Sequence, residues 1–118
     1  MPYVDGFVVP VPKARLEDYW KLARESGAVW KEHGALKVVE AVADDVRYGE
    51  ITSFPRAVQV KEDEVVVFSF IAFQSRAHRD EVNKKVMEDP RIKDQDTSQA
   101  PFDAKRMIYG GFEVAVDL

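Results

Sequence analysis

The chain has 118 residues, of which 46% are hydrophobic and 32% are charged, and it contains no cysteine. A chain of this length forms a single domain, residues 1–118, and folding removes roughly two-thirds of its extended surface from water. The lack of cysteine excludes disulfides, thiolate nucleophiles and thiolate-bound zinc or iron–sulfur clusters, while the formal charge of -4 opposes binding to nucleic acid.

The first residues, Met-Pro-Tyr-Val-Asp-Gly, lack the basic start, apolar middle and small-residue cleavage site of a secretory signal. No run of apolar residues is long enough to span a bilayer as a helix. We therefore expect a cytoplasmic protein that neither inserts into a membrane nor binds nucleic acid.

Residues 3–33 are predicted to form a strand followed by an amphipathic helix. Residues 3–11 alternate in the manner of a strand, and Pro10 and Pro12 are expected to end it. In residues 14–33 the apolar side chains fall within a stripe about 100° wide. Trp20 and Trp30 lie on that stripe and either line an aromatic ligand site or, as the spacing favours, pack against a sheet. Gly34 fits a left-handed cap at the end of the helix.

Residues 36–60 are predicted to contribute two strands separated by a polar insert. Residues 36–43 have strand character, and the polar residues 44–55 are expected to form a surface loop. Residues 57–60 resume strand character, and the charged residues 61–64 are expected to turn the chain into residues 65–73. The sequence thus predicts a β-hairpin between residues 57–60 and 65–73.

The segment 65–73, Val-Val-Val-Phe-Ser-Phe-Ile-Ala-Phe, is apolar on both of its faces. A strand of this kind has to be covered on both sides. Two helices cover only one face of a small sheet, so the other face needs a further layer, which an identical subunit supplies most simply. The sequence therefore predicts a homodimer formed through the open face of the sheet.

A second helix and a last strand complete the chain. Ser75 is suited to cap a helix that runs to residue 88 and is stopped by Pro90. Residues 91–103 are polar and irregular, and they form either a lid over a pocket or a plain crossover loop. Residues 105–116 have strand character, and Gly110-Gly111 indicates a bulge or a close approach of the backbone.

The order strand, helix, strand, strand, helix, strand is that of a ferredoxin-like βαββαβ sandwich of the α+β class, with both helices on one face of an antiparallel sheet. Two such sheets packed face to face form a dimeric α+β barrel with the helices outside. Each subunit is also expected to keep a pocket between its helices and its sheet.

Asp5 is an unusual residue for the first strand, because an acidic side chain in an apolar strand is costly to bury unless it is paired. It is either a general base with a raised pKa or an ion-pair partner of Arg106 or Lys105 on the last strand. Our catalytic candidates are Asp5 and Tyr109 for acid–base chemistry, and Arg106 for stabilising an oxyanion or a carboxylate.

Arg79 and Asn83 are candidate ligand-binding residues, since they share the predicted inner face of the second helix with two valines. Their polar groups either project into the pocket, or Arg79 reaches solvent from the helix edge and Asn83 bonds to water or backbone. His33 and His78 lack the spacing of metal ligands. The sequence therefore predicts no metal site, and it indicates no cofactor.

Taken whole, the chain resembles the YbaA-like proteins, an uncharacterised bacterial family, over nearly all of its length. The resemblance rests on six blocks: Tyr-Val-Asp-Gly-Phe at 3–7, Val-Pro-Lys-Ala at 11–14, Lys-Glu-His-Gly-Ala at 31–35, Val-Val-Phe-Ser at 66–69, Met-Glu-Asp-Pro-Arg at 87–91 and Pro-Phe-Asp-Ala-Lys-Arg-Met-Ile-Tyr-Gly-Gly-Phe-Glu at 101–113. The family pattern usually has glycine where this chain has Ala104, a difference that affects a turn rather than a reactive group.

The resemblance implies membership of the dimeric α+β barrel superfamily, which includes small monooxygenases acting on aromatic polyketides, haem-degrading enzymes, isomerases and ligand-sensing regulatory domains. It carries over no catalytic residue, because the family has no established activity. Two functions of different class are expected. One is a cofactor-independent, monooxygenase-like enzyme acting on a small apolar molecule in the helix–sheet pocket. The other is a non-catalytic dimer that binds a ligand or a partner or has a stress-related role.

Overall fold

A computed structural model describes residues 2–118 of the chain. Its strands are β1 (Tyr3–Pro12), β2 (Lys37–Val42), β3 (Glu64–Phe73) and β4 (Ile108–Glu113). Its helices are α1 (Leu16–Glu32), α2 (Phe54–Ala57), α3 (Arg76–Glu88) and α4 (Pro90–Lys93), and a 3-10 turn, Lys13–Arg15, precedes α1. Within the described residues the strands form one antiparallel sheet in the order β2-β3-β1-β4. The α+β class and the ferredoxin-like βαββαβ sandwich predicted from the sequence are confirmed.

The centre of the sheet is the pairing of β1 with β3, which runs without interruption from Tyr3 opposite Phe73 to Pro12 opposite Glu64. β1 ends at Pro12, as the sequence predicts, but Pro10, the other proline expected to end it, lies inside the strand. On its other side β1 pairs with β4 only as far as Val8, so Pro10 lies where that side of the strand has no partner. A missing N–H costs no ladder hydrogen bond at such a position.

Helix α1 has acidic residues in its first turn and a glycine cap at its end. Glu17 and Asp18 lie near the positive end of the helix dipole, where carboxylates are stabilising. At the other end Gly34 has φ 116°, and the Ala35 N–H donates to the Trp30 carbonyl at 3.0 Å. This is the pairing of a Schellman motif, so the predicted cap is confirmed.

Helix α3 also has the limits expected from the sequence. The Ser75 side chain accepts the His78 N–H at 3.0 Å, which caps the helix at its N-terminus. Val82 and Val86 are buried against the sheet. The helix ends at Glu88, and the side chain of the next residue, Asp89, accepts the Arg91 N–H and thereby caps the short helix α4.

The predicted β-hairpin between residues 57–60 and 65–73 is wrong. Residues 54–57 form the short helix α2, which Ser53 caps by accepting the Arg56 N–H at 3.1 Å and which has Pro55 in its first turn. A Ser followed by Pro at this spacing starts helices, and this local signal outweighs the strand-like alternation of the valines that follow. Val58, which the alternation suggested for a strand, is instead buried against Val8 and Val66.

The sheet face opposite α1 and α3, here called the outer face, is therefore covered in part by the chain itself. Val58 packs over one end of it, and Phe54 contacts Phe68 edge to face with ring centroids 6.0 Å apart. The rest of the outer face is open, and Phe68, Ile108 and Phe112 are exposed there. The sequence predicted that a further layer covers this face, and α2 with Val58 covers one end of it.

Strand β4 is shorter than predicted, and it contains no bulge in the part that pairs with β1. Gly110 lies opposite Gly6 and Gly111 opposite Asp5 in consecutive register. The close approach suggested by the two glycines is present at Gly111, where a Cβ atom would fall on the Tyr3 hydroxyl and the Arg79 guanidinium. The second glycine is therefore required by packing rather than by backbone conformation.

The interior between the helices and the sheet is divided into two clusters. One contains Phe73, Val82 and Val86, and the other contains Val9, Val11 and Tyr19. The molecule measures 38 × 36 × 20 Å, which fits one sheet with a single layer of helices. Among the helices of residues 2–118, none combines the length and the apolar composition needed to cross a bilayer.

We expect the substitution Gly111→Ala to lower the free energy of unfolding by about 1–3 kcal/mol, because the new methyl group must displace Tyr3 or Arg79. The control is Gly110→Ala, whose Cβ would meet Phe112 at an ordinary 3.7 Å and should change the free energy by no more than about 0.5 kcal/mol. Urea unfolding at one protein concentration measures both. Equal losses in the two variants would contradict the packing explanation.

Candidate functional site

A cavity of about 310 Å³ lies between α1 and the inner face of the sheet. Its floor includes Val9, Ser69 and Ile71 on the two central strands, and α1 contributes Tyr19 and Trp30. Ile71 and Trp30 belong to the first core cluster, and Val9 and Tyr19 belong to the second. The cavity is thus the space that separates the two clusters.

The cavity exists because α1 presents small side chains to the sheet. Ala23, Ser26 and Gly27 lie along its wall, one helical turn after Tyr19 and one before Trp30. Large apolar side chains at these three positions would fill the space, as they do in an ordinary helix–sheet interface. The larger aromatic residues Tyr19 and Trp30, one on each side of these positions, pack between the helix and the sheet and leave the space between them unfilled.

A carboxyl group and a phenol meet on the wall of this cavity. The Tyr19 hydroxyl donates a hydrogen bond of 2.7 Å to Oε1 of Glu40, which lies on β2 directly opposite Ser69 of β3. Burial raises the pKa of Glu40 above its ordinary value of 4.5, and the hydrogen bond from Tyr19 opposes part of that rise. Burial, followed by the nearby charge of Glu40, also raises the pKa of Tyr19.

This pair gives the cavity one ionisable group in surroundings that are otherwise mostly apolar. A carboxyl group with a raised pKa is a stronger base when ionised than an ordinary carboxylate, which suits it to general acid–base catalysis. Tyr19 holds one oxygen of Glu40 in place and keeps the Glu40 side chain at the wall. The buried Ser69 hydroxyl supplies a further hydrogen-bonding group on the floor.

Three of the residues predicted from the sequence form a second polar cluster, under α3. Asp5 is buried, and its Oδ1 lies 3.4 Å from Nε of Arg79. The Asn83 side chain donates to Oδ2 of Asp5 at 3.5 Å and accepts the indole N–H of Trp30 at 3.1 Å. Arg79 also donates to the Tyr3 hydroxyl at 3.0 Å. Within the described residues, Nε of Arg79 is buried and forms no hydrogen bond, so Arg79 and Asp5 interact as an ion pair.

Burial raises the pKa of Asp5, and the Arg79 charge and the Asn83 hydrogen bond oppose that rise. Asp5, Arg79 and Asn83 do not line the helix–sheet cavity. Trp30, which lines the cavity, connects them to it by donating to Asn83. Of the two arrangements considered for Asp5, the structure has the ion pair, but its partner is Arg79 and not Arg106 or Lys105.

Arg106 and Tyr109 lie apart from this cluster. The Arg106 guanidinium forms bonds of 2.6–2.7 Å with Glu64 and one of 2.9 Å with Asp103. Glu64 pairs with Pro12, seven residues along β1 from Asp5, a separation of about 23 Å on an extended strand. Tyr109 stacks on Phe7 with ring centroids 6.2 Å apart and is 72% exposed.

Residues 91–103 lie over one end of the cavity, where Ile92, Gln95 and Phe102 form part of its wall. Arg15 holds this segment to the start of α1 by donating to the Gln99 and Ala100 carbonyls at 2.9 and 3.2 Å. The segment therefore has the position that a lid would need, one of the two arrangements that the sequence left open.

The two histidines have structural contacts. Nε2 of His33 lies 2.9 Å from Oδ2 of Asp89, joining the end of α1 to the start of α4. Nδ1 of His78 accepts the Gln74 N–H at 3.0 Å. Across residues 2–118, no three side chains of the kinds that bind metal ions are gathered in one place.

The reasoning from sequence missed Glu40 and Tyr19. A signal was present, because Glu40 is the acidic residue in a strand that reads Lys-Val-Val-Glu-Ala-Val. Such a residue on an edge strand is usually solvated, however, and only the register with β3 places it on the inner face beside Tyr19. Tyr19 lies at a position of the apolar stripe of α1, but helical spacing does not reveal its hydrogen bond to Glu40.

Comparison with known proteins gives a family and a fold. The sequence profile of a family described as "Protein of unknown function (DUF1428)" matches residues 2–104. The proteins named "Uncharacterized protein YbaA" from Escherichia coli K12 and from Shigella flexneri are each 50% identical to the chain over 117 residues, covering 99% of both sequences. The resemblance stated from the sequence blocks is confirmed.

Among solved structures, an uncharacterized NIPSNAP domain protein from Burkholderia xenovorans superposes with a TM-score of 0.59. The two sequences are 11% identical, and the match covers 96% of this chain and 94% of the other. A likeness at this identity shows the fold alone. It supports the α+β assignment and transfers no ligand or reaction.

We expect Arg79→Met to lower the free energy of unfolding by about 1–3 kcal/mol, because it leaves the Asp5 carboxylate buried without its counter-ion. Combining Arg79→Met with Asp5→Asn should cost less than the sum of the two single losses, with a coupling of about 1 kcal/mol or more. Chemical denaturation of the single and double variants measures this coupling.

The control for that cycle is Arg76→Met, on the same helix. Arg76 is 74% exposed and lies 3.9 Å from Asp80, so its removal should change stability by no more than about 0.5 kcal/mol. If the Asp5 and Arg79 losses simply add, the two side chains do not stabilise each other and the ion pair is not what holds α3 at this point.

Proposed function

Because the chain belongs to the DUF1428 family, which is described as having unknown function, we propose a function from its cavity: the protein binds a small, mostly apolar molecule there, and Glu40 exchanges a proton with it. The observation that carries this proposal is the Glu40 carboxyl group on the cavity wall, with a pKa raised by burial and a geometry fixed by Tyr19. A partly buried carboxyl group next to mostly apolar space is costly to maintain unless it has a use.

The volume of the cavity limits the size of the ligand. A volume of about 310 Å³ is near the lower end of the range for ligand pockets. Roughly ten water molecules occupy the same volume in liquid water. The bound part of the ligand therefore has about ten non-hydrogen atoms. The aromatic rings of Phe7, Trp30 and Phe102 and the sulfurs of Met87 and Met107 suit an apolar or aromatic body.

The proposed chemistry is a proton transfer, which is also the step with which a cofactor-independent monooxygenase-like reaction would begin. Removing a proton from a weakly acidic substrate makes the substrate a better electron donor to O₂. In this proposal Glu40 is the base, Tyr19 orients it and Ser69 is available to hydrogen-bond a carbonyl oxygen of the substrate. The non-catalytic alternative is binding alone, and it is favoured by the fact that Glu40 Oε1 already has a partner in Tyr19.

Acetophenone is a suitable probe, because it fits this volume and carries weakly acidic protons next to a carbonyl group. We expect the protein to accelerate the exchange of these protons with D₂O, measured by NMR, and Glu40→Gln to reduce the acceleration roughly 100-fold or more. The accelerated rate should rise with pH through the raised pKa of Glu40, above 4.5, because the carboxylate is the reactive form.

Two variants separate binding from chemistry in this experiment. Ser69→Leu fills the cavity from its floor and should abolish both binding of acetophenone and exchange. Glu40→Gln conserves volume, so it should retain binding, seen as a change in tryptophan fluorescence. If the wild-type protein binds acetophenone but proton exchange stays at the rate seen in buffer alone, the function is binding without catalysis. If Glu40→Gln still accelerates the exchange, Glu40 is not the base.

We also propose that the protein acts as a homodimer joined through the outer face of the sheet. The open part of this face is lined by Val4, Val8, Phe68, Phe70, Ile108 and Phe112, with Gly6 and Gly110 between them. Monomeric proteins seldom expose such a continuous apolar surface. A two-fold axis would bring the same surface of a second copy onto it, which is the arrangement of most homodimers.

Sedimentation equilibrium is expected to show a dimer for the wild-type protein and a much weaker association for Phe112→Glu. A carboxylate at this position would be buried without a partner in the dimer but solvated in the monomer. The matched control is Ile51→Glu, which adds the same charge at a residue that is 96% exposed and lies in the loop before α2. A monomeric wild-type protein would refute the proposed dimer.

A further inference from the structure

A groove of about 710 Å³ runs along the edge of the sheet, between α1 and the edge strand β2. Four of the residues that line it, Ala23, Gly27, Val38 and Glu40, also line the helix–sheet cavity. The two spaces therefore share a wall, and the groove lies on the solvent side of that wall.

The shared wall is thin at one point. A Cβ atom on Gly27 would lie 3.1 Å from Cγ1 of Val38, closer than most such contacts. Gly27 costs α1 helix stability compared with alanine, by roughly 1 kcal/mol. The glycine therefore lets α1 and β2 lie in contact at this point of the shared wall, where a side chain on α1 would push them apart.

The groove is positively charged at its rim, although the whole chain has a formal charge of -4. Arg24, Lys31 and Lys37 line it and are exposed, and within the described chain none of these three forms an ion pair. Lys31 donates to the Leu36 carbonyl at 3.0 Å, which fixes its ammonium group at the rim. Glu40 is the acidic residue of the groove lining, and its Oε1 is bonded to Tyr19.

Between these cations the groove is apolar. Trp20, Ala28, Leu36 and Val42 form its surface together with the shared wall. A charged rim around an apolar floor that leads to an apolar cavity is complementary to a molecule with one anionic end and one apolar end. A neutral molecule would form no ion pair with the three cationic side chains, and a cationic molecule would be repelled by them.

We propose that the groove is the mouth of the cavity and that the ligand is a small apolar carboxylic acid. Its carboxylate lies among Arg24, Lys31 and Lys37, and its apolar body enters the cavity across the wall that the two spaces share. This inference rests on the proposed function, whose site it shares, and it adds the chemical class of the ligand and the path by which the ligand enters.

Octanoate, 1-octanol and octylamine form a matched set of probes with one apolar chain and three different head groups. The two tryptophans report on the two spaces, since Trp20 lines the groove and Trp30 lines the cavity. In a Trp20→Phe background, fluorescence therefore measures filling of the cavity. We expect octanoate to bind roughly tenfold or more tightly than the other two probes, with an advantage that falls as salt is added.

The rim is tested by Arg24→Gln combined with Lys37→Gln, which should remove most of the advantage of octanoate over octanol. The control is Lys84→Gln combined with Lys93→Gln, which changes the net charge equally at two exposed lysines outside the groove. The mouth is tested by Gly27→Val, which should block all three probes. If that variant does not fold, the rim variants still decide the question, because they change only exposed side chains.

The outcomes separate this inference from the proposed function. If octanol binds as tightly as octanoate and the rim variants change neither, the inferred ligand class is wrong while the cavity remains a binding site. If no probe fills the cavity but acetophenone exchange is accelerated, the inference again fails and the proposed function stands. If neither binding nor exchange is seen, both fail. The inference is supported if the rim variants lose the preference for octanoate and the Lys84→Gln, Lys93→Gln control keeps it.

Discussion

The structure depends on the ten-residue antiparallel pairing of β1 with β3. Because side chains alternate along a strand, this one register decides which residues face the helices and which face outward. It places Ser69 on the cavity floor, Asp5 under α3 and Phe68 on the outer face. A register slip of one residue would turn the core side chains outward and the side chains of the outer face inward. The cavity and the open outer face therefore both depend on the hydrogen bonds between β1 and β3.

Helix α1 determines what the inner face becomes. Its aromatic residues Tyr19 and Trp30 pack on the sheet one on each side of Ala23 and Gly27, which leaves two core clusters and a gap between them. The hydrogen bond from Tyr19 to Glu40 then ties the helix to the edge strand across this gap. Small side chains in a helix–sheet interface and a carboxyl group on its wall both lower stability, and such departures from good packing are common at functional sites.

The two polar clusters of the inner face have different surroundings and therefore different roles. Around Asp5, every polar group has a neighbour of complementary charge or hydrogen-bonding capacity, and the cluster holds α3 against β1. Around Glu40, the carboxyl group has one partner and faces empty space. A raised pKa occurs in both, so the shift alone does not identify a site; the cavity beside Glu40 makes the difference.

The sequence by itself determined the elements whose signals are local: the stripe of α1, the Gly34 cap, the Ser75 cap, the apolar strand β3 and, from their order, the ferredoxin-like sandwich. It failed at residues 57–60, where a serine cap and a proline outweigh two alternating valines. Only the tertiary structure decided that Asp5 pairs with Arg79, that Arg106 lies at the other end of β1, and that Glu40 meets Tyr19. These contacts join residues 21 to 74 positions apart, and their partners are set by strand register and by helix placement, which no short stretch of sequence contains.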